Sequence, residues 1–243
     1  MVNLSGSSPA FLLRSYNKNR RLGAALFAGW LWVASGLAQM PDYLRTALNH
    51  FSPTVPAGWA YTLTTTRNGE TLVEQFDPSR PSAGQWNLIQ CFGRAPTTEE
   101  LEKYAKSRPT ADSGGAQSNY QKADIEPGSF HLVSEDSEQA EFLGGFRAGS
   151  DGADKMLGHL NLRVVVSKKQ AYIKKSVLEL KEPYWPVLGV KMNILRVETT
   201  FAAPAEDRPS LPTAQQSHFA GRILLISNEE KLQLAFSDFR PGH

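Results

Sequence analysis

The chain has 243 residues, 26 of them basic and 24 acidic, which gives a formal net charge of +2. This near balance, without interleaved basic and aromatic residues, argues against a nucleic-acid-binding protein. The single cysteine, Cys91, excludes an intramolecular disulfide, but a chain of this length can bury a hydrophobic core without covalent cross-links.

The first predicted element is an export signal over residues 1–38. An uncharged run from 22 to 38 ends in small residues and follows four basic residues: Arg14, Lys18, Arg20 and Arg21. This pattern is typical of a secretory leader. We expect cleavage between Ala38 and Gln39, and an uncleaved membrane anchor is the alternative. The prediction is a periplasmic or extracellular protein in which residues 39–243 form a single β-rich domain.

The next elements are a short helix and a hairpin. Apolar residues at three- and four-residue spacing indicate an amphipathic helix over 42–51. Asn68-Gly69 then separates two β-prone runs, and these two residue types favour a type I′ hairpin turn. A third strand is predicted over 86–92.

A second helix and a loop follow. Thr97 and Glu100 have the spacing of a capping box, which predicts a helix over 98–107. Residues 109–128 are polar and rich in small side chains, so they predict a mobile loop inside the domain.

From residue 130 onward the pattern is almost continuous strand and turn. Apolar and polar residues alternate over 156–166, so one face of that strand is expected to be buried. The alternation changes phase between Ile194 and Leu195, which indicates a β-bulge in a long bent strand. The last hairpin is predicted to turn at the polar residues 227–230.

Together these elements predict a mainly β (α+β) fold. We expect a curved antiparallel sheet or half-barrel of about eight to ten strands, with two short helices on the concave side. Such a sheet surrounds an apolar interior, which is either a packed core or a ligand cavity.

No catalytic or metal-binding motif is recognisable, so we expect no enzymatic activity, no metal and no cofactor. Cys91 lies in a predicted strand, where a buried structural thiol is favoured over a catalytic one. His131, His159 and His218 lie on different predicted strands. Scattered solvated side chains are favoured over a metal site as their interpretation.

The segment Pro183–Gly189 holds two large aromatic residues between prolines, which exclude a regular strand interior. Tyr184, Trp185 and Leu188 are therefore the candidate ligand-binding or partner-binding residues. They would form the rim of an apolar cavity or a contact with a membrane or a protein partner. The alternative is a plug that packs on the end of the sheet.

The order of export signal, helix, hairpin, capped helix and long meander resembles the lipoprotein-carrier superfamily of periplasmic half-barrel proteins. That superfamily includes lipoprotein localisation factors and sigma-factor regulators that sense lipoproteins. The chain is also similar to uncharacterised secreted bacterial proteins that share two stretches. The matching residues are Phe76–Pro81, Trp86–Ile89, Gly93, Pro96-Thr97, Glu100-Leu101 and Tyr104, followed by Pro186–Lys191. The resemblance implies a half-barrel that shelters acyl chains or binds a protein partner, and it implies no catalytic residues.

We therefore expect an exported, non-enzymatic protein that binds an apolar ligand, either an acyl chain or a lipoprotein. The alternative is an envelope protein with a solid core that docks another protein, and a hydrolase with a dispersed site is least favoured. A sizeable apolar cavity would favour the first function, and a solid core with an exposed patch at Tyr184 and Trp185 the second. If the leader is removed, only peripheral contact with a membrane is expected.

Overall fold

A computed structural model of the protein describes residues 40–107, 120–147, 152–224 and 226–242. The predicted leader and its cleavage site lie outside these residues, as does the segment 109–119 of the predicted loop. Among the helices in the described ranges, none combines the length and the apolar character needed to cross a membrane.

The described residues form three helices and eleven strands. The helices are α1 (Asp42–His50), α2 (Thr98–Ser107) and α3 (Gly152–Leu157). The strands are β1 (Trp59–Arg67), β2 (Glu70–Phe76), β3 (Trp86–Cys91), β4 (Ile125–Glu135), β5 (Gln139–Phe146), β6 (Leu160–Ser167), β7 (Tyr172–Leu180), β8 (Tyr184–Val187), β9 (Val190–Phe201), β10 (Pro212–Ile223) and β11 (Ile226–Pro241).

All eleven strands belong to one open antiparallel sheet. Its order is β3-β2-β1-β11-β10-β9-β7-β6-β5-β4, and β8 pairs with the beginning of β9. The pairing of β1 with β11 joins the first hairpin to the last strand, so both ends of the meander contribute to the sheet. The predicted mainly β fold with short helices is confirmed, with eleven strands rather than eight to ten and three helices rather than two.

The additional strand and helix lie where the sequence predicts other structure. β8 occupies part of the predicted aromatic loop, and it pairs with β9 only near its two ends, so Pro186 falls between the paired residues. Met156 lies in helix α3, although the alternation predicted it in a strand. That strand, β6, begins at Leu160. The strand predicted at Met156 was wrong, because the alternation of a few residues does not distinguish a strand from a short helix.

The predicted loop over 109–128 is wrong at its end, because strand β4 begins at Ile125. The β4–β5 pairing is interrupted between Glu126 and His131, around Pro127. An edge strand tolerates this interruption because its other side is unpaired. Since proline is rare inside strands, Pro127 made a strand at this position appear unfavourable in the sequence.

The last hairpin turns earlier than predicted. Residues 227–230 are not a turn but pair with β10, and the chain reverses after Ile223, where Leu224 has a φ of 54°. Positive φ is uncommon for a leucine, so the residue type predicts no turn at this position. The correction places apolar residues at the tip of a hairpin.

Helix α1 packs on one face of the sheet, which we call the inner face. The helical spacing of Leu44, Ala47 and Leu48 gives one buried stripe. This stripe belongs to a large core cluster with the alternate, inward residues of β6: Leu160, Leu162, Val164 and Val166. Strand pairing places a second cluster on the same face: Tyr61, Leu63, Leu234 and Phe236. The inner face is therefore largely a packed core.

Helix α2 begins at the predicted capping box. The Thr97 N–H donates to Glu100 (2.7 Å), and the Glu100 N–H donates to the Thr97 hydroxyl (3.3 Å). Arg94 donates two further bonds to the Glu100 carboxylate, and together these contacts lower the pKa of Glu100 to about 2. The Tyr104 hydroxyl donates to buried Glu74 of β2 (2.8 Å), which ties the helix to the sheet.

Gly144 of β5 lies beneath the ring of Phe130 in β4. A Cβ atom at Gly144 would come within 2.7 Å of that ring, whereas nothing lies within 4 Å of a Cβ atom at Gly145. We expect Gly144→Ala to lower the free energy of unfolding by about 1–2 kcal/mol because the ring must move. Gly145→Ala should be neutral or slightly stabilising. Urea unfolding measures both variants, and equal stabilities would contradict this packing.

Candidate functional site

A groove of about 420 Å³ lies beside the C-terminal end of α1, and we call it the α1 groove. Three segments form it: the end of α1 with the residues that follow, the β6–β7 turn, and the loop between β9 and β10. The lining residues are Thr46, Ala47, His50, Phe51, Ser52, Gln170, Ala171, Tyr172, Ile173, Phe201, Pro204, Pro209 and Ser210.

The floor of the α1 groove is apolar. The ring of Phe51 contacts Phe201 edge to face, with 5.4 Å between the ring centroids, and Ile173 is buried beside them. Phe51 has an extended backbone that ends α1, and Pro53 prevents the helix from continuing. The end of α1 therefore presents aromatic and aliphatic surface to the groove.

The wall formed by the loop between β9 and β10 is held by the backbone. The Ala202 N–H donates to the Leu211 carbonyl (2.9 Å), and the Ser210 hydroxyl donates to the Ala202 carbonyl (2.9 Å). Pro204 and Pro209 line the groove, and their rings restrict the backbone of the loop. This wall is consequently shaped before any ligand binds.

Polar side chains lie at the edge of the α1 groove. His50 is in the last turn of α1 and lines the groove. The Ser52 hydroxyl donates to the Thr54 carbonyl (2.7 Å), so it is engaged with the backbone. An apolar floor with a few polar groups at the edge is the usual composition of a ligand-binding pocket.

A second space of about 220 Å³, the inner cavity, lies on the inner face between the two core clusters. Its lining residues are Pro53, Tyr120, Ser176, Leu178, Leu195, Val197, Thr199, Gln215, Ser217 and Leu232. Gln215 joins Thr199 (3.5 Å) to Ser217 (3.4 Å) through long hydrogen bonds. Tyr120 is buried and hydrogen-bonded to Ser176, and burial raises the pKa of the Tyr120 hydroxyl. The inner cavity is thus more polar than the groove.

The chain after α1 separates the two spaces. Phe51 lines the groove, and Pro53 lines the inner cavity. On β9, Phe201 likewise lines the groove, and Thr199 lines the inner cavity. The inner face thus combines a packed core with a small polar cavity, and the larger apolar space lies at one end of the sheet.

The three residues that the sequence predicts as a site lie at the other end of β9. The Tyr184 ring stacks on His159 with 3.8 Å between centroids. Trp185 is exposed, with the Lys191 ammonium 5.4 Å from its ring centre, and Leu188 is fully exposed in the β8–β9 turn. They are not part of the lining of the α1 groove, and their contact with a ligand or partner stays a prediction.

The three histidines considered as metal ligands have separate surroundings. His159 contacts the tyrosine ring described above, and His218 Nε2 lies 3.0 Å from Glu229 Oε1. His131 is exposed on the edge strand β4. Within the described part of the chain, no three His, Cys, Asp or Glu side chains gather as metal ligands.

Cys91 is a buried thiol at the end of β3, as predicted. Removal from water raises the pKa of this thiol, and nearby Glu100 adds to the rise. A raised pKa disfavours the thiolate, which is the reactive form.

The sequence analysis identified none of the residues that line the α1 groove. The three segments are far apart in the chain, and no local motif marks any of them. The one feature that could have drawn attention to a segment is the pair Pro204 and Pro209, because two prolines in a strand-rich region indicate a rigid loop, although they do not indicate a binding site.

Comparisons of the chain with protein-family models, with curated proteins and with solved structures found no match.

Proposed function

We propose that the protein is an exported binding protein that holds one acyl chain in the α1 groove without changing it chemically. The observation that carries the proposal is the groove itself, about 420 Å³ in volume with Phe51, Ile173 and Phe201 at its floor. This volume falls within the range of about 300–1,000 Å³ that is usual for small-molecule sites.

Export rests on the leader predicted over residues 1–38. A carrier function agrees with the resemblance to the periplasmic lipoprotein-carrier superfamily, whose half-barrels shelter acyl chains. The acyl chain is therefore that of a free fatty acid, a lipid or a lipoprotein. The alternative function, docking of an envelope protein, is supported by the exposed side chains of Trp185 and Leu188.

Binding is tested by blocking the α1 groove from its edge. Thr46 is exposed on α1 and lines the groove, so Thr46→Trp places an indole in the space without disturbing the core. Isothermal titration calorimetry with saturated fatty acids is expected to show a 1:1 complex that this variant weakens at least roughly tenfold. In the unchanged protein, affinity should rise about fourfold per methylene until the groove is full.

Asn49→Trp is the matched control, because Asn49 is exposed on the same helix but does not line the groove. It should bind fatty acids as the unchanged protein does. Undiminished binding by Thr46→Trp would place the ligand elsewhere, and no binding of any chain length by the unchanged protein would contradict the proposed function.

A further inference from the structure

Two neighbouring hairpin tips expose large apolar side chains at the end of the sheet opposite the α1 groove. One is the β8–β9 turn and the other the β10–β11 turn. The exposed fractions are 52% for Trp185, 61% for Val187, 104% for Leu188, 55% for Ile223, 71% for Leu224 and 74% for Ile226. We call these six residues the tip patch.

The two tips form one surface. The Leu224 N–H donates to the Gly189 carbonyl (2.6 Å), and a Cβ atom at Gly189 would come within 2.9 Å of the Leu224 side chain. Gly189 has a φ of 82°, which a glycine adopts without strain. A contiguous exposed apolar surface of this kind marks a place that another molecule covers.

The tip patch is distinct from the proposed ligand site. Strand β9 has 12 residues and runs from Val190 at the patch to Phe201 at the α1 groove. At about 3.3 Å per residue, the ends of this strand are at most roughly 36 Å apart. The inference drawn from the patch therefore does not depend on the ligand proposed for the groove.

Two cations, Lys191 and Arg222, adjoin the tip patch. Lys191 and Arg222 are opposite each other in the β9–β10 pairing, and neither forms an ion pair with a carboxylate of the described residues. The sequence from Trp185 to Lys191, and that from Arg222 to Ile226, contains no acidic residue. The nearest acids along the chain are Glu182, which is exposed, and Glu229, which binds His218 and Lys231.

We infer that the tip patch inserts into a membrane surface that contains anionic phospholipids. The patch consists of two adjoining turns whose apolar side chains are largely exposed, Leu188 completely, so they can enter a bilayer together. The Lys191 ammonium lies near the Trp185 ring. A tryptophan beside a lysine is typical of membrane interfaces, where indole rings lie at headgroup level and lysine side chains reach the phosphates. Each cation near an anionic surface strengthens binding roughly fivefold.

The test reports the surroundings of one tip residue directly. The protein is purified in the form that accumulates in the producing cell, and Leu188→Cys carries an environment-sensitive fluorophore, since the native Cys91 is buried. The control is the same label on Leu132→Cys, because Leu132 is 51% exposed on β4 at one edge of the sheet. Vesicles of phosphatidylglycerol mixed with phosphatidylcholine are compared with vesicles of phosphatidylcholine alone.

With phosphatidylglycerol vesicles, the emission of the label at 188 should move to shorter wavelength while that at 132 stays unchanged. Lys191→Gln combined with Arg222→Gln should lower the partition coefficient roughly 25-fold. An unchanged label at 188, or an equal response to phosphatidylcholine alone, would overturn the inference. A shift that depends on protein concentration without vesicles would also overturn it and would identify a second copy of the chain as the occupant.

Discussion

Replacing Leu162 by alanine is expected to lower the free energy of unfolding by about 3 kcal/mol. Leu162 of β6 has no exposed surface, and it lies in the core cluster beneath α1. The substitution removes buried methyl groups and leaves a cavity that a strand in the middle of a sheet cannot close. Urea unfolding followed by tryptophan fluorescence measures the change.

The same substitution at Leu132 is the matched control. Leu132 of the edge strand β4 is half exposed, so Leu132→Ala should change the free energy of unfolding by about 0.5 kcal/mol or less. Equal effects of the two substitutions would show that the core does not lie between β6 and α1.

The second large effect is expected from Leu44→Asp in α1. Leu44 is 1% exposed against the inner face, and an unpaired carboxylate there costs several kcal/mol. We expect a loss of about 4 kcal/mol of stability, with the helix released from the sheet. Since α1 supplies one side of the α1 groove, binding of fatty acids should be lost as well. Hydrogen exchange of the α1 amides measures the release directly.

Asn49→Asp provides the control for charge alone, because Asn49 is exposed on the same helix. Its cost should be a few tenths of a kcal/mol, from a negative charge near the helix C-terminus. Slow exchange of the α1 amides in Leu44→Asp, together with retained binding, would contradict the role assigned to α1.

Features with a local physical cause were predicted correctly from the sequence. Asn68 and Gly69 adopt φ angles of 53° and 83° in the first hairpin, as residues that tolerate positive φ should. The capping box of Thr97 and Glu100 starts α2 at the expected residue. The bulge predicted in β9 is present, but the register shift against β10 lies between Met192 and Ile194 rather than after Ile194. Met192 is buried and Ile194 is exposed, so these two residues do not share a face as the alternation predicted.

Features that depend on tertiary contacts were not predictable. The β10–β11 turn at Leu224 has no turn-forming residue of its own, and its backbone bonds to Gly189 of another hairpin. The α1 groove likewise needs three segments that meet only in the folded sheet. The sequence singled out Tyr184, Trp185 and Leu188 because large apolar residues in a segment with two prolines are visible without any tertiary information. Their contact with a ligand or partner stays a prediction.

The central claim, that the protein carries an acyl chain, is tested most directly by native mass spectrometry. The protein is purified from the producing cell without detergent, and its mass is recorded before and after solvent extraction. The account predicts one lipid-sized adduct per chain, which extraction removes and which Thr46→Trp lacks. A mass without adduct, combined with no uptake of added fatty acid, would contradict the claim.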